Sequence, residues 1–414
     1  MTSTITWVSS THTWPEILPG GDLLLSRFGW AGISTLSRND PNATLKPLLD
    51  YGANARYLPT GDLVYARPGE LVVRGFNRRD LSVSGDPVIV VDDLRTEEGG
   101  AGQFAVSAEG TFVYVQGKHA NVGAFIWRDR QGKTYPVDLP PRFYANFSIS
   151  PDGKRMAFIV YDMGQSNVHI HEFGLSETRI TPGGKNTMPV WSPDGQTLYF
   201  MSERDTIQTV FSVQPDRKKD PLQISDGKIS TFLHGITPDG KELIVRQGDK
   251  YVLIPALPGD RNSILKPKFL LPAKQMRWNW VFSPSDGRYL LTTSTENDRW
   301  QVVMQNYPAF DKQWPISLAG GEEPRWNPNG KGIIYRWGSQ WWAVDVNLQP
   351  QPEFGKPHLL FEEPYINVPG YSWDISHDGE RFLLLQNPEQ NKPVTHLAVI
   401  TNFFDEVKRR LHKN

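Results

Sequence analysis

Cysteine is absent from these 414 residues, so a disulfide framework, thiolate chemistry and a thiolate-held metal are all excluded. No run of 18 uncharged apolar residues occurs, and no membrane insertion is expected. The opening stretch MTSTITWVSSTHTWPEILPGG has neither a basic start nor an apolar centre; no export signal is expected in it, and the compartment stays open. Charge of one sign is not in excess: 44 Lys and Arg stand against 45 Asp and Glu, a formal charge of −1. That balance disfavours nucleic acid as a partner, because phosphate backbones demand a basic surplus. The strong catalytic signatures are missing as well. There is no Gly-x-Ser-x-Gly elbow, no Gly-rich loop followed by a strand lysine, and no His-Arg-Asp or Asp-Phe-Gly.

What the chain has is turns and aromatics: 36 Gly, 33 Pro and 14 Trp. Nine times an apolar stretch runs into a Pro/Asp/Gly-type turn and then into a second apolar stretch, at Gly21, Gly61, Gly110, Gly153, Gly195, Gly240, Gly287, Gly330 and Gly379. A period of roughly 40 to 50 residues without an intervening helical pattern is what stacked four-stranded blades produce. The fold expected is all-β, a propeller of four-stranded antiparallel blades. Nine repeats suggest nine blades; eight blades, or one full propeller plus part of another, are the alternatives.

Alternate residues of a strand face opposite sides, so the aligned repeats can be read in columns. One column holds Ile17, Tyr57, Val106, Ile149, Trp191, Ile236, Phe282, Trp326 and Ile375, all large and apolar. It is expected to be core. Two residues earlier stand Pro15, Ala55, Phe104, Phe147, Pro189, His234, Trp280, Pro324 and Trp373, mostly apolar and on the same face. The intervening columns carry Glu16, Arg56, Ser148, Arg325 and Asp374 in one, and Asn54, Gln103, Asn146, Asn279, Glu323 and Ser372 in the other. These read as a polar face turned to a central channel. The runs after the turns, such as Leu63-Val64-Tyr65 and Leu198-Tyr199-Phe200, read as strands buried on both sides.

The last repeat is expected to use Thr395 to Ile400 as a strand and to remain one strand short. The segment Ser3 to Val8 could fill that gap and close a single ring over 1–401. Residues 402–414 form a helix or tail, with acids in the first turn and bases in the last.

The motif Pro189-Val190-Trp191-Ser192-Pro193-Asp194-Gly195, followed by Leu198-Tyr199-Phe200, resembles the TolB-type β-propeller repeat. More specifically, the stretches Asn54 to Arg67, Gln103 to Val115 and Asn402 to Arg410, in that order and spacing, resemble the C-terminal propeller region of membrane-anchored bacterial serine/threonine protein kinases of the Acidobacteria type. The resemblance covers roughly the whole chain. Without any kinase motif, it implies the sensory or binding part of that family and not its catalytic part; the family is often extracytoplasmic.

Several side chains are candidates for chemistry. Trp191, Trp280, Trp326 and Trp373 fall in the apolar columns and read as packing between blades. Trp14 and Trp278, near the start of an inner strand, could stack on a sugar ring or clamp a peptide. His169 and His171 share one side of a strand and could approach a metal together, but solvent-exposed or hydrogen-bonded histidines are the plainer reading, and neither metal nor cofactor is expected. The ligand-binding set expected at the channel mouth is His12, Trp14, Arg56, Asn146, Trp278, Arg325 and Tyr371, converging from six repeats. Arg56 and Arg325 tilt the expected ligand towards an acidic one. The function read from this is a non-catalytic binding scaffold, soluble, taking a protein, small molecule or glycan in the channel or on the top face. A polysaccharide-active lyase or hydrolase and a structural subunit of a larger assembly are the alternatives.

Overall fold

The computed structural model describes residues 12–411 apart from 28–31, 39–43, 98–99, 121, 163, 217–218, 258–266, 273–276, 297–298, 369 and 388–393. The chain forms two compact units, 1–122 with 387–414, and 123–386.

The second unit is built of six blades. Blade I runs through Arg142–Ile149, Arg155–Asp162, Gln165–Glu172 and Glu177–Arg179; blade II through Lys185–Trp191, Leu198–Arg204, Ile207–Val213 and Leu222–Gln223. Blade III comprises Thr231–Ile236, Glu242–Gln247, Lys250–Pro255 and Lys268–Pro272, and blade IV Arg277–Phe282, Tyr289–Glu296, Arg299–Asn306 and Gln313–Pro315. In blade V, Glu322–Trp326 and Gly332–Trp337 are followed by Gln340–Asn347, whose outer edge takes both Glu353–Phe354 and His358–Glu362. Blade VI joins Trp373–Ile375 and Arg381–Gln386 to Val122–Asp129 and Thr134–Pro136. Each inner strand packs beside the next, and Trp373–Ile375 packs beside both Glu322–Trp326 and Arg142–Ile149. Six inner strands thus close a cycle, which makes this unit a six-bladed propeller.

The turn chemistry explains why the strands fold back where they do. Gly195 sits at φ 67°, a left-handed conformation that glycine adopts without a Cβ penalty. Beside it the Ser192 hydroxyl donates to Asp194 Oδ1 at 2.6 Å, and the Gln196 amide donates to the same oxygen at 2.9 Å. Ser150 with Asp152, Thr237 with Asp239, and Ser376 with Asp378 repeat the device. The strand after each turn is buried: Leu198, Tyr199 and Phe200 are at most 2 % exposed.

Ring closure differs from the expectation. Among the described residues the last repeat has no outer strands of its own, and Arg381–Gln386 pairs with Val122–Asp129, from Ala124↔Gln386 to Asp129↔Arg381. That strand carries Phe125, fully buried against Tyr144, Phe147 and Phe158. Burying one such ring contributes on the order of 2 kcal/mol. The proposed closing segment, Ser3 to Val8, lies outside the described residues.

In the first unit, one blade runs through His12–Ile17, Leu23–Arg27, Ile33–Leu36 and Lys46–Leu49, and a second through Ala53–Tyr57, Asp62–Arg67, Glu70–Asn77 and Ser82–Val91. The third repeat pairs Phe104–Val106 with Phe112–Tyr114, and the latter with Ala398–Ile400. The strand expected over Thr395 to Ile400 therefore covers only its last three residues, and it completes the Gly110 repeat instead of the Gly379 repeat. Helix α1, Phe403–Leu411, follows. It packs into this unit: Phe403 and Val407 are fully buried, and the Phe403 ring stacks on Phe112 at 4.3 Å. Ile17 departs from its column, being 71 % exposed. Among the described residues no helix is long and apolar enough to cross a membrane.

Candidate functional site

A register shift interrupts the inner strands of blades I to V and of the first unit's two blades. At these bulges Trp14, Asn54, Asn146, Met188, Asn279 and Glu323 hold φ between 42° and 58°. All six come from a single aligned column, the one that holds Asn54, Asn146, Asn279 and Glu323. Asparagine recurs there because it tolerates the left-handed region better than other side-chain-bearing residues.

In the six-bladed unit the inner strands surround a cavity of about 530 Å³. It runs from the bulges, at Asn146, Met188 and Asn279, to the exposed turn residues Pro151, Pro193, Pro238 and Pro284. Between these ends the wall is mostly apolar and aromatic, including Trp191, Trp280, Phe282 and Ile236.

The bulge end is crossed by the chain leading into blade VI. A Cβ on Gly370 would lie 2.5 Å from Asn146 Nδ2 and 3.2 Å from Met188 Sδ, and the Gly370 carbonyl accepts a 3.0 Å hydrogen bond from Asn279 Nδ2. Three blades are thereby touched by one glycine. The next residue, Tyr371, lays its ring 3.5 Å from the Arg325 guanidinium carbon, a close cation–π contact. The Tyr371 hydroxyl is buried beside Asn279 without a well-formed hydrogen bond, and burial raises its pKa.

Among the described residues Arg325 is the only cation lining the cavity, and it faces the only anion, Asp374. Its Nε lies 3.3 Å from Asp374 Oδ1, with both side chains no more than 14 % exposed. Asp374 also accepts the Ile149 amide at 2.8 Å and the Ile375 amide at 2.9 Å. Blades V, VI and I therefore meet on one carboxylate. His234, on blade III, is ringed by Tyr251, Trp278 and Trp280. Burial, with the Arg246 charge adding to it, pushes its pKa down to about 3, so the imidazole is neutral near pH 7. Its Nε2 has no hydrogen-bond partner.

Asn146, Arg325 and Tyr371 of the expected set line this one cavity. Trp278 stands behind it, half-buried with its ring 5.7 Å from His234. Trp14 and Arg56 belong to the other unit, where Arg56 pairs with Glu16 at 3.0 Å; the His12 side chain lies outside the described residues. The arginines expected to favour an acidic ligand thus both have carboxylate partners. The surface end of the cavity lies at the Asp-Gly turns, whereas the inner-strand start is crossed by Gly370 and Tyr371. Sequence columns contained Asp374 and His234 without marking them as site residues, and the bulge signal, an asparagine at the same column of several repeats, was present to be read.

The four column tryptophans do pack between blades. Trp191, Trp326 and Trp373 are at most 6 % exposed, and each indole N–H donates to a carbonyl of the preceding inner strand, Ser148, Val281 and Glu323 respectively. Trp280, also 6 % exposed, turns its N–H to Arg277 of its own strand. His169 and His171 are buried and not solvent-exposed. His169 Nδ1 lies 2.6 Å from Glu177, which also pairs with Arg142. Among the described residues no group of three His, Cys, Asp or Glu side chains is placed to hold a metal.

Compared with known families and with curated proteins, the chain matches none. Solved structures do resemble it. A TolB-type protein of Agrobacterium tumefaciens is 16 % identical over 64 % of this chain and 98 % of its own, with a TM-score of 0.48. TolB of Acinetobacter baumannii is 17 % identical over 66 % of this chain and 65 % of its own, at 0.42. An oligogalacturonate lyase in complex with manganese is 12 % identical over 73 % and 82 %, also at 0.42.

Proposed function

We propose that the chain is a non-catalytic binding propeller whose ligand site is the cavity of the 123–386 unit. The observation that carries this reading is the cavity itself: about 530 Å³, mostly apolar, with a few convergent polar groups, the form of a preformed ligand site. Its charged side chains and its Ser283 hydroxyl are engaged structurally. Arg325 and Asp374 hold each other, and the Ser283 hydroxyl donates to Asp286. A sensor role agrees with the sequence resemblance to propeller regions of membrane-anchored kinases. The test is a thermal-shift screen of the full chain against peptide and small-molecule libraries, with each hit re-isolated after incubation. Hits are expected to be recovered unchanged and to lose their effect in Arg325→Ala and Tyr371→Ala variants. Consumption of the bound compound, or hits indifferent to both variants, would refute the reading.

A further inference from the structure

The geometry points to an uncharged, largely apolar ligand for this cavity, one with an extended ring system and one or two hydrogen-bonding groups. The inference rests on the cavity being a binding site and adds the ligand's class. Three observations lead to it. First, the lining side chains present no uncompensated charge, since Arg325 faces Asp374 at 3.3 Å and His234 is neutral near pH 7. An anion at Arg325 would sit beside the Asp374 carboxylate, which the Ile149 and Ile375 amides hold in place. A cation would meet a carboxylate already matched.

Second, few polar groups await a partner. The Tyr371 hydroxyl, His234 Nε2 and Arg325 Nε are buried without a hydrogen bond, Arg325 Nε having only its ion pair with Asp374, and each orphaned group costs about 1–3 kcal/mol until a ligand engages it. A saccharide needs a partner for each of its many hydroxyls, and these three groups do not supply them. Third, Trp191, Trp280, Phe282, Ile149, Ile236 and Val281 offer the apolar wall on which an extended ring system is buried.

Two fluorescent probes of nearly the same shape separate charge from apolar fit: neutral N-phenyl-1-naphthylamine, and 8-anilinonaphthalene-1-sulfonate, which adds a sulfonate. Titrated into the full chain, the neutral probe is expected to bind one per chain and at least tenfold more tightly than the sulfonate. Gly235→Leu should abolish that binding. Gly235 lines the cavity, and a Cβ there meets only Trp280 at 3.5 Å or beyond; Val190→Trp fills the cavity from blade II should the first variant fail to fold. Asp374→Asn, which uncovers the Arg325 charge, should narrow the preference at least fivefold. Equal or tighter binding of the sulfonate, abolished by the filling variants, overturns the ligand class and leaves the binding site standing. Binding of neither probe, or binding that both filling variants leave unchanged, overturns the ligand class and the cavity as binding site together.

Discussion

Replacing Glu323 should destabilise the six-bladed unit more than any surface ion pair could, and the structure shows why. Arg336 is 2 % exposed, and its Nη2 donates to Glu323 Oε1 at 2.6 Å and to Asn367 Oδ1 at 2.9 Å. Burial works against the Arg336 charge, but Glu323, Tyr365 and Glu322 together outweigh it and the pKa is raised. Glu323 also accepts the Ser372 amide at 2.8 Å and the Ser372 hydroxyl at 3.0 Å, tying blade V to blade VI. Removing one partner of a buried pair costs about 3–5 kcal/mol, and an orphaned amide adds about 1–3 kcal/mol. Glu322, 3.5 Å from Arg336, offsets part of this, so about 4 kcal/mol is expected for Glu323→Ala. Glu323→Gln keeps the acceptor for Ser372 and should cost roughly half as much. The double variant Glu323→Leu with Arg336→Met removes both charges and should be more stable than Glu323→Ala, because no buried charge is left alone. Urea unfolding followed by tryptophan fluorescence reads these differences. A loss below about 1 kcal/mol for Glu323→Ala, or a double variant no better than the single, would refute the reasoning.

Gly287→Ala should cost about 2–3 kcal/mol, since the new Cβ would sit 2.3 Å from Pro238 Cγ at φ 64°, whereas Gly248→Ala, at φ 58° with open space around it, should cost only the backbone strain of about 1 kcal/mol; paired urea midpoints test this. Asn279→Ala loses its bonds to Gly370 and Thr293 and should cost about 2 kcal/mol, while Asn279→Gly, free at φ 58°, should recover about half of it by the same measurement. His234 stays neutral in the folded unit down to about pH 3 but takes a proton below about 6.5 when unfolded, so the unfolded state binds more protons in that window and stability falls as the pH falls. The acid loss between pH 7 and 4.5 should be about 2 kcal/mol smaller in His234→Phe than in the natural chain, and equal losses would contradict the burial assigned to this imidazole. Elemental analysis after gentle purification should find no stoichiometric transition metal, as His169 is paired with Glu177; a zinc or manganese lost in His171→Ala would overturn that pairing as the strand's role.

Much of the blade plan is legible because a strand alternates and a turn has narrow chemistry. Trp191, Trp326 and Trp373 recur at the same point before the turn or two residues earlier, and a large ring there has nowhere to go but the seam between blades. The bulge is where column reading stops working. An extra residue on one strand re-aims the side chains around it, so one column sends Asn146 to the cavity and Glu323 to buried Arg336. Arg325 reads as a free cation in sequence because its partner is 49 positions away on another blade. Closure was equally hidden. Val122–Asp129 is one apolar strand among many, and only Phe125 meeting Tyr144, Phe147 and Phe158 selects it.

The carboxylate of Asp374 links the two halves of this reading. Blade VI is assembled from strands on either side of the other five, so the ring is held shut by side-by-side strands and not by a continuous chain. At the inner end of that closure the Ile149 amide of blade I needs an acceptor, and Asp374 of blade VI supplies it. A carboxylate buried there is costly unless a cation matches it, and Arg325 of blade V is that cation. The charges that close the ring are therefore the charges that line the cavity, and because closure requires them to cancel, the cavity is neutral as a consequence of how the ring is shut.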